Sequence, residues 1–212
     1  HKEAALQICD RVDDVAQRIG AVNTVVVESD GKLLGSNTDA FGFLANLKSE
    51  SDWKSDDGLA VILGAGGAAR AVVAALLDDG VQDILIVNRT RERAEHLASE
   101  FAGVCAAISW DSKDDALEEA ALLVNTTTLG MTGQANLEIS LKRLPTSAIV
   151  NDIVYVPIQT PLLQHAATRG NTTVDGLGML LHQARPGFAT WFGKQPNVSA
   201  GLRDFILADL QS

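Results

Sequence analysis

The chain has 212 residues, 46% of them apolar, which is enough for one large folded domain, or one domain with part of a second, and argues against a disordered polymer. Its formal net charge of -10 at pH 7 argues against non-specific binding to nucleic acid or to an anionic membrane, since most of the surface would repel a polyanion, and leaves room for a local basic patch that binds a small anion. Cys9 and Cys105 lie far apart in apolar surroundings and the four histidines, His1, His96, His165 and His182, are scattered, so no metal site is indicated and both thiols are expected to be buried and reduced, as in a cytoplasmic protein.

Residues 1 to 50 open with a helix, followed by the strand "AVNTVVVES", an Asp30-Gly31 turn, "KLLGSNT", and a helix from about Asp39. An Asp-Gly pair between apolar runs predicts a hairpin. The polar stretch "KSESDWKSDDG", residues 48 to 58, reads as a linker. One hairpin and two helices make a poor core by themselves, so this first domain reads as incomplete.

From Leu59 the rhythm changes. "LAVILG", "DILIVN", "VCAAIS", "ALLVNTT", "SAIVNDIVY" and "TTVDG" read as strands, alternating with the helical stretches "AARAVVAALLDDG", "RERAEHLASEF", "DDALEEA" and "PLLQHAATRG". That alternation predicts an α/β fold with a parallel sheet covered on both faces. Gly80 and Gly170 follow helices as C-terminal stop signals. Two last helices, "GLGMLLHQARPGFATWFG" and "SAGLRDFILADL", are expected to pack back against the first fifty residues. Pro186 removes a helical N–H and crowds the carbonyl of His182, which predicts a kink or break just past Gln183.

Gly64, Ala65, Gly66, Gly67, Ala68 and Ala69 follow the strand "AVIL" and open a helix with the spacing G-x-G-x-x-A. Gly64 suits a sharp turn, Gly66 lets backbone approach a pyrophosphate, and Ala69 permits close packing of helix on sheet, while the helix N-terminus offers free N–H groups. A glycine-rich turn serving packing alone is the plainer alternative; the complete strand, turn and helix favour a dinucleotide and a Rossmann-type doubly wound sheet. At the end of the second strand an NAD site carries an acid for the ribose 2'-hydroxyl. Here the chain reads "ILIVNRTRER", with Asn88, Arg89 and Thr90 at that position. Arg89 presents a planar fork to a 2'-phosphate and Arg93 follows one turn later, so the cofactor expected is NADP; Arg91 reads as a solvated helix residue.

No apolar run of about 18 residues and no charged leader with an apolar core is present, so neither a membrane span nor a signal peptide is expected. Lys2, Asn23 and Asp39 sit among polar residues beside apolar runs. Taken singly they read as a solvated lysine, a turn residue and a helix cap, and Gln183 as an exposed helix residue.

Taken together, "HKEAAL", "GAVNT", "NTDAFGF", "ILGAGGAARAV", "VNRT", "VNTTTLGM", "YVPIQTPLL" and "DGLGMLLHQA" occur in the order found in the shikimate dehydrogenase family, which the chain resembles along its whole length. The resemblance implies NADPH-dependent, reversible reduction of 3-dehydroshikimate to shikimate, a step of aromatic amino acid (chorismate) biosynthesis. It implies residues 1–50 as the C-terminal part of a smaller α/β substrate-binding catalytic domain, 58–178 as the NADP-binding domain, and 179–212 as helices returning to the first. The family's first segment, including the serines that hold the substrate carboxylate, would then lie upstream of His1, and the chain as given would be a fragment that binds NADP and lacks full activity. By motif, Lys2 and Asp39 correspond to the catalytic pair, Asn23, Tyr155 and Gln183 to substrate-binding residues, and Gly64 to Ala68, Asn88, Arg89, Thr90, Arg93, Ile153 and Gly176 to cofactor contacts. "NTTTLGM" falls where an open parallel sheet places its ligand crevice. The resemblance is compatible with a homodimer. Two alternatives stay open: an NAD-linked quinate/shikimate dehydrogenase, and a catalytically silent NADP-binding relative.

Overall fold

A computed structural model of the chain describes residues 1–101 and 103–210. Its first part holds the helices α1 (Lys2–Ile8) and α2 (Asp14–Ile19) and the strands β1 (Arg11–Val12), β2 (Thr24–Val27) and β3 (Leu33–Ser36). Strands β2 and β3 form the expected hairpin, with Gly31 at φ +83° in the turn, and β1 joins β3 in parallel, giving the order β1-β3-β2. The opening helix is thus two short ones; α2 is bounded by Asp13, whose side chain accepts from the Ala16 N–H, and by left-handed Gly20.

The helix α3 (Asp39–Glu50) leads to β4 (Leu59–Leu63), α4 (Gly67–Asp79), β5 (Ile84–Asn88), α5 (Arg91–Glu100), β6 (Cys105–Ser109), β7 (Ala120–Asn125), β8 (Ile149–Asp152), α6 (Pro161–Arg169), β9 (Thr172–Val174), α7 (Gly176–Phe192) and α8 (Ala200–Leu210). The six strands from β4 onward are parallel and ordered β6-β5-β4-β7-β8-β9, so the chain reverses direction across the sheet between β4 and β7. This is the doubly wound order in which ligands bind outside the strand C-termini at the reversal.

Alternation along β4 explains the two cores. Ala60 and Ile62 point into a cluster with Val72, Leu76 and Ile86, while Val61 and Leu63 point into another with Leu123, Leu141 and Leu163. Phe43 and Leu47 of α3, with Ile19 and Ala21, join the first cluster, so the initial fifty residues share their core with the large sheet. Gly80 and Gly170 end α4 and α6 in the left-handed conformation, as expected.

Several details differ from the sequence reading. "DDALEEA" forms only a 3-10 turn at Asp115–Leu117 before β7 begins at Ala120, with another such turn at Trp110–Ser112 just upstream; Leu117 is the one buried residue of these turns, so no apolar stripe supports a helix. The polar linker is anchored, because α3 runs to Glu50 and Trp53 is buried in the first cluster. Cys9 and Cys105 are free thiols, half-buried where full burial was expected. Helix α7 continues through Pro186 to Phe192 without a break and straddles the expected boundary at residue 178. It is α7 that packs on α3, while α8 lies against α7 and is tied to its start by the Arg203–Asp175 ion pair. No helix among the described residues is long and apolar enough to cross a membrane.

Candidate active site

At the C-terminal end of β4 the chain turns sharply at Gly64, φ +113°. A Cβ there would stand 2.5 Å from Oγ1 of Thr126, which donates to the Leu63 carbonyl at 2.6 Å. Only glycine fits this turn, wedged between the ends of β4 and β7. At Gly66 and Gly67 an added Cβ would meet nothing within 4 Å, no side chain caps α4, and its first turn holds no acid. The helix therefore presents bare backbone to open space, as a pyrophosphate requires. Ala65 and Ala68 flank this opening, and Ala69 is fully buried under it.

At the end of β5, the Asn88 amide donates to the Thr90 carbonyl at 2.8 Å, shaping the turn into α5. Arg89 and Arg93 are exposed and, among the described residues, have no side-chain hydrogen bond or ion pair. Arg91 is held by Glu95 at 2.7 Å and Arg70 by Glu100. Two guanidinium groups thus remain available beside the turn, and no acid occupies the 2'-position.

Beside the start of α4 lies a cleft of about 470 Å³, lined by Ala68, by Thr126, Thr127, Thr128, Met131 and Thr132 after β7, and by Ile153 to Val156 after β8. Its far wall depends on Gly176: a Cβ there would lie 2.1 Å from the Ile153 carbonyl oxygen. Behind the wall, fully buried Asp152 accepts from Asn125 Nδ2 (3.0 Å), Val154 N–H (3.1 Å) and Thr160 Oγ1 (2.7 Å). Burial pushes its carboxyl up to about 6, against the opposing pull of the Thr160, Val154 and Asn125 hydrogen bonds.

The residues of the first part converge separately. Lys2 Nζ stands 2.6 Å from Asp39 Oδ2, and Asn23 Nδ2 donates to the other carboxylate oxygen at 2.9 Å. Asp39 is 8% exposed, whereas the Lys2 side chain is 54% exposed, so the pair is open on the lysine side. Thr38, not Asp39, is the N-cap of α3, and the Asp39 carboxylate is committed to Lys2 and Asn23. Sequence reasoning did not single out Thr24, Asn37 and Thr38. The hydroxyls of Thr24 and Thr38 both donate to Asn23 Oδ1, and Asn37 Oδ1 accepts the Asp39 N–H at 2.9 Å. The unbroken polar run "SNTD" between strand and helix was the available signal.

Gln183 joins Lys2, Asn23 and Thr38 around a cavity of about 430 Å³ whose other wall is Phe188, Trp191 and Phe192. Burial and the nearby Arg185 guanidinium hold the adjacent His182 below the usual imidazole range, with Glu50 opposing. Tyr155 is 37% exposed and lines the cleft beside β7 and β8, apart from the Lys2 cavity. Among the described residues no group of three or more His, Cys, Asp or Glu is placed to hold a metal.

The family model described as Shikimate / quinate 5-dehydrogenase matches residues 45–161, and one described as Shikimate 5'-dehydrogenase C-terminal domain matches 176–203. The chain is 56% identical over 209 residues to the shikimate dehydrogenase (NADP(+)) of Paramagnetospirillum magneticum (strain ATCC 700264 / AMB-1), covering 98% of this chain and 76% of that protein. It is 52% identical over 212 residues to the shikimate dehydrogenase (NADP(+)) of Chelativorans sp. (strain BNC1), covering 100% and 76%. Among solved structures, shikimate 5-dehydrogenase from Thermus thermophilus in complex with NADP(H) and shikimate superposes with a TM-score of 0.81 at 41% identity, over 92% of this chain and 71% of that one. Quinate dehydrogenase from Corynebacterium glutamicum in complex with NAD superposes with a TM-score of 0.90 at 32% identity, over 98% and 74%.

Proposed function

The chain belongs to the shikimate dehydrogenase family, and from that membership we propose that it is an NADP-dependent enzyme interconverting shikimate and 3-dehydroshikimate in aromatic amino acid biosynthesis. The observation that carries this reading is the Lys2–Asp39 contact of 2.6 Å beside a cavity that Asn23 and Gln183 also line. NADPH, when bound, supplies the hydride that reduces the ketone carbon. The negative charge that develops on the ketone oxygen needs a proton donor within hydrogen-bond reach. The Lys2 ammonium gives that proton and becomes a neutral amine; in the reverse direction the amine takes it back. Asp39 orients Lys2 and accepts from a substrate hydroxyl. Asn23 and Gln183 hold further hydroxyls, since each amide both donates and accepts.

Gly64 to Ala68 would hold the pyrophosphate, Arg89 and Arg93 the 2'-phosphate, with Asn88 and Thr90 shaping that turn, and Ile153 with Gly176 the nicotinamide side. Tyr155, from its place on the cleft wall, reaches the substrate from the cofactor side. Residues 1–50 form part of the substrate-binding domain, 58–178 the NADP-binding domain, and 179–212 the return. We further place the enzyme in the cytoplasm, where free thiols such as Cys9 and Cys105 persist. A homodimer is compatible with the exposed Val27, Trp191 and Phe192, and a light-scattering mass decides it.

A second reading, an NAD-linked quinate/shikimate dehydrogenase, draws on the TM-score of 0.90 to the quinate enzyme. The basic, acid-free end of β5 speaks against it. The Lys2–Asp39 pair speaks likewise against a silent relative. Steady-state rates of the full-length protein with shikimate and quinate, each with NADP and NAD, test these readings. Shikimate with NADP is expected to be the fastest pair; quinate with NAD as the fastest would replace the reading.

A further inference from the structure

A buried acid stands behind the cofactor cleft without lining it. Asp152, at the end of β8, is fully inaccessible, as is Thr160, the N-cap of α6. One carboxylate oxygen of Asp152 accepts from Asn125 Nδ2 and from the Val154 N–H, and the other accepts from the Thr160 hydroxyl. Asn125 in turn accepts from the backbone N–H and the hydroxyl of Thr127, at 3.0 and 2.7 Å, and donates to the Leu129 carbonyl. Thr127, in the loop after β7, and Val154, in the loop after β8, both line the cleft of about 470 Å³. The same backbone segment pushes the Ile153 carbonyl against Gly176.

A carboxylate used only to close β8 onto α6 would need Thr160 alone. This one also joins the loop after β7 to the loop after β8, at the reversal point of the sheet where ligands bind. Buried polar groups with every partner supplied hold one arrangement of the chain, and loss of a single partner leaves the others unsatisfied. Hydride transfer depends on the position of its reactants closely enough that a displacement of about 1 Å costs roughly a hundredfold in rate.

Resting on the reading of the site given above, we propose that Asp152 is a positioning residue for hydride transfer. Through Asn125, Val154 and Thr160 it fixes the loops after β7 and β8 that line the cleft where the nicotinamide would lie. It touches neither substrate nor cofactor.

The experiment compares Thr160→Val, Thr160→Ser, Asp152→Asn and Asp152→Ala in steady-state kinetics, at a temperature where circular dichroism shows each variant folded. The amide introduced by Asp152→Asn can still accept from Asn125 and Val154 and can donate to Thr160, and Thr160→Ser keeps the hydroxyl. Thr160→Val is expected to lower kcat about tenfold and to raise the KM for NADP a few-fold, with the KM for shikimate and the preference for NADP over NAD unchanged. Thr160→Ser and Asp152→Asn are expected to restore kcat to within about threefold of wild type. If Asp152→Ala does not fold, the two Thr160 variants decide the matter alone. Variants that melt earlier yet keep wild-type kcat and KM values would overturn the proposal while leaving the functional reading intact. A wild-type protein that neither binds NADPH nor oxidises shikimate would overturn both.

Discussion

Gly42 of α3 and Gln183 of α7 stand so close that a Cβ on Gly42 would lie 2.7 Å from the Cβ of Gln183 and 2.9 Å from its backbone nitrogen. One turn before Gly42, Asp39 carries the Lys2 contact, so this approach sets how far the amide of α7 lies from the carboxylate of α3. A second close point, Gly178 against the buried Asn46, whose amide donates to the Asp175 carbonyl at 2.7 Å, holds the same two helices together.

Gly42→Ala is therefore expected to separate α3 from α7. Overpacking of this kind costs about 1–3 kcal/mol, and the helix propensity gained by alanine offsets at most about 1 kcal/mol of it. Urea denaturation should show a net loss of stability and kinetics a raised KM for shikimate. A variant as stable as wild type with an unchanged KM would mean that the helices adjust freely.

Arg89 and Arg93, without a side-chain hydrogen bond or ion pair among the described residues, should give NADPH at least about tenfold tighter binding than NADH, equal to about 1.4 kcal/mol. Arg89→Ala is expected to remove most of that difference, and Arg91→Ala, which breaks only the contact with Glu95, to leave it unchanged. Fluorescence titration of both reduced cofactors measures this. Equal dissociation constants in the wild type would set the arginine assignment aside.

Asp152 gives stability a defined pH dependence. Its carboxyl is raised by burial from 3.8 to about 6, so the folded chain holds the proton more tightly than the unfolded one. The stability this contributes is complete below the unfolded value of 3.8 and is lost as pH rises through about 6, by a limit of roughly 3 kcal/mol. Asp152→Asn, which cannot ionise, should thus gain on the wild type as pH is taken from about 4 to about 7. Denaturant midpoints across that range are the check, and a constant difference between the two proteins would contradict the assignment.

Burial pushes the Cys105 thiol up to about 11, which leaves little thiolate near neutrality. Alkylation of the native chain at pH about 8 followed by peptide mass analysis should show Cys105 modified at least about tenfold more slowly than in the unfolded chain. Equal rates in the two states would show that the thiol is not shielded.

The large sheet was legible because a strand buried on both faces is an unbroken apolar run, and because Gly64, Gly80 and Gly170 mark turns that only glycine makes easily. The contacts across the fold were not. Gly42 and Gly178 look like weak helix residues until α3 and α7 are seen side by side, and nothing local tells Asp152 from any polar residue ending a strand. "DDALEEA" misled because its acids and alanines suit a helix in composition, while Leu117 is the one buried residue of the turn and Ala120 already starts β7. Pro186 misled in the opposite direction, since α7, packed along α3, carries on past it.

The central claim rests on Lys2 and Asp39, and one measurement reaches it most directly: the rate at which wild type and Lys2→Ala form NADPH from shikimate and NADP under saturating conditions. Loss of a general acid–base group at that step predicts a fall in kcat of about a hundredfold or more, with NADPH affinity within about twofold of wild type. A Lys2→Ala enzyme that turned over shikimate at the wild-type rate would show that the 2.6 Å contact with Asp39 belongs to the fold and not to the reaction.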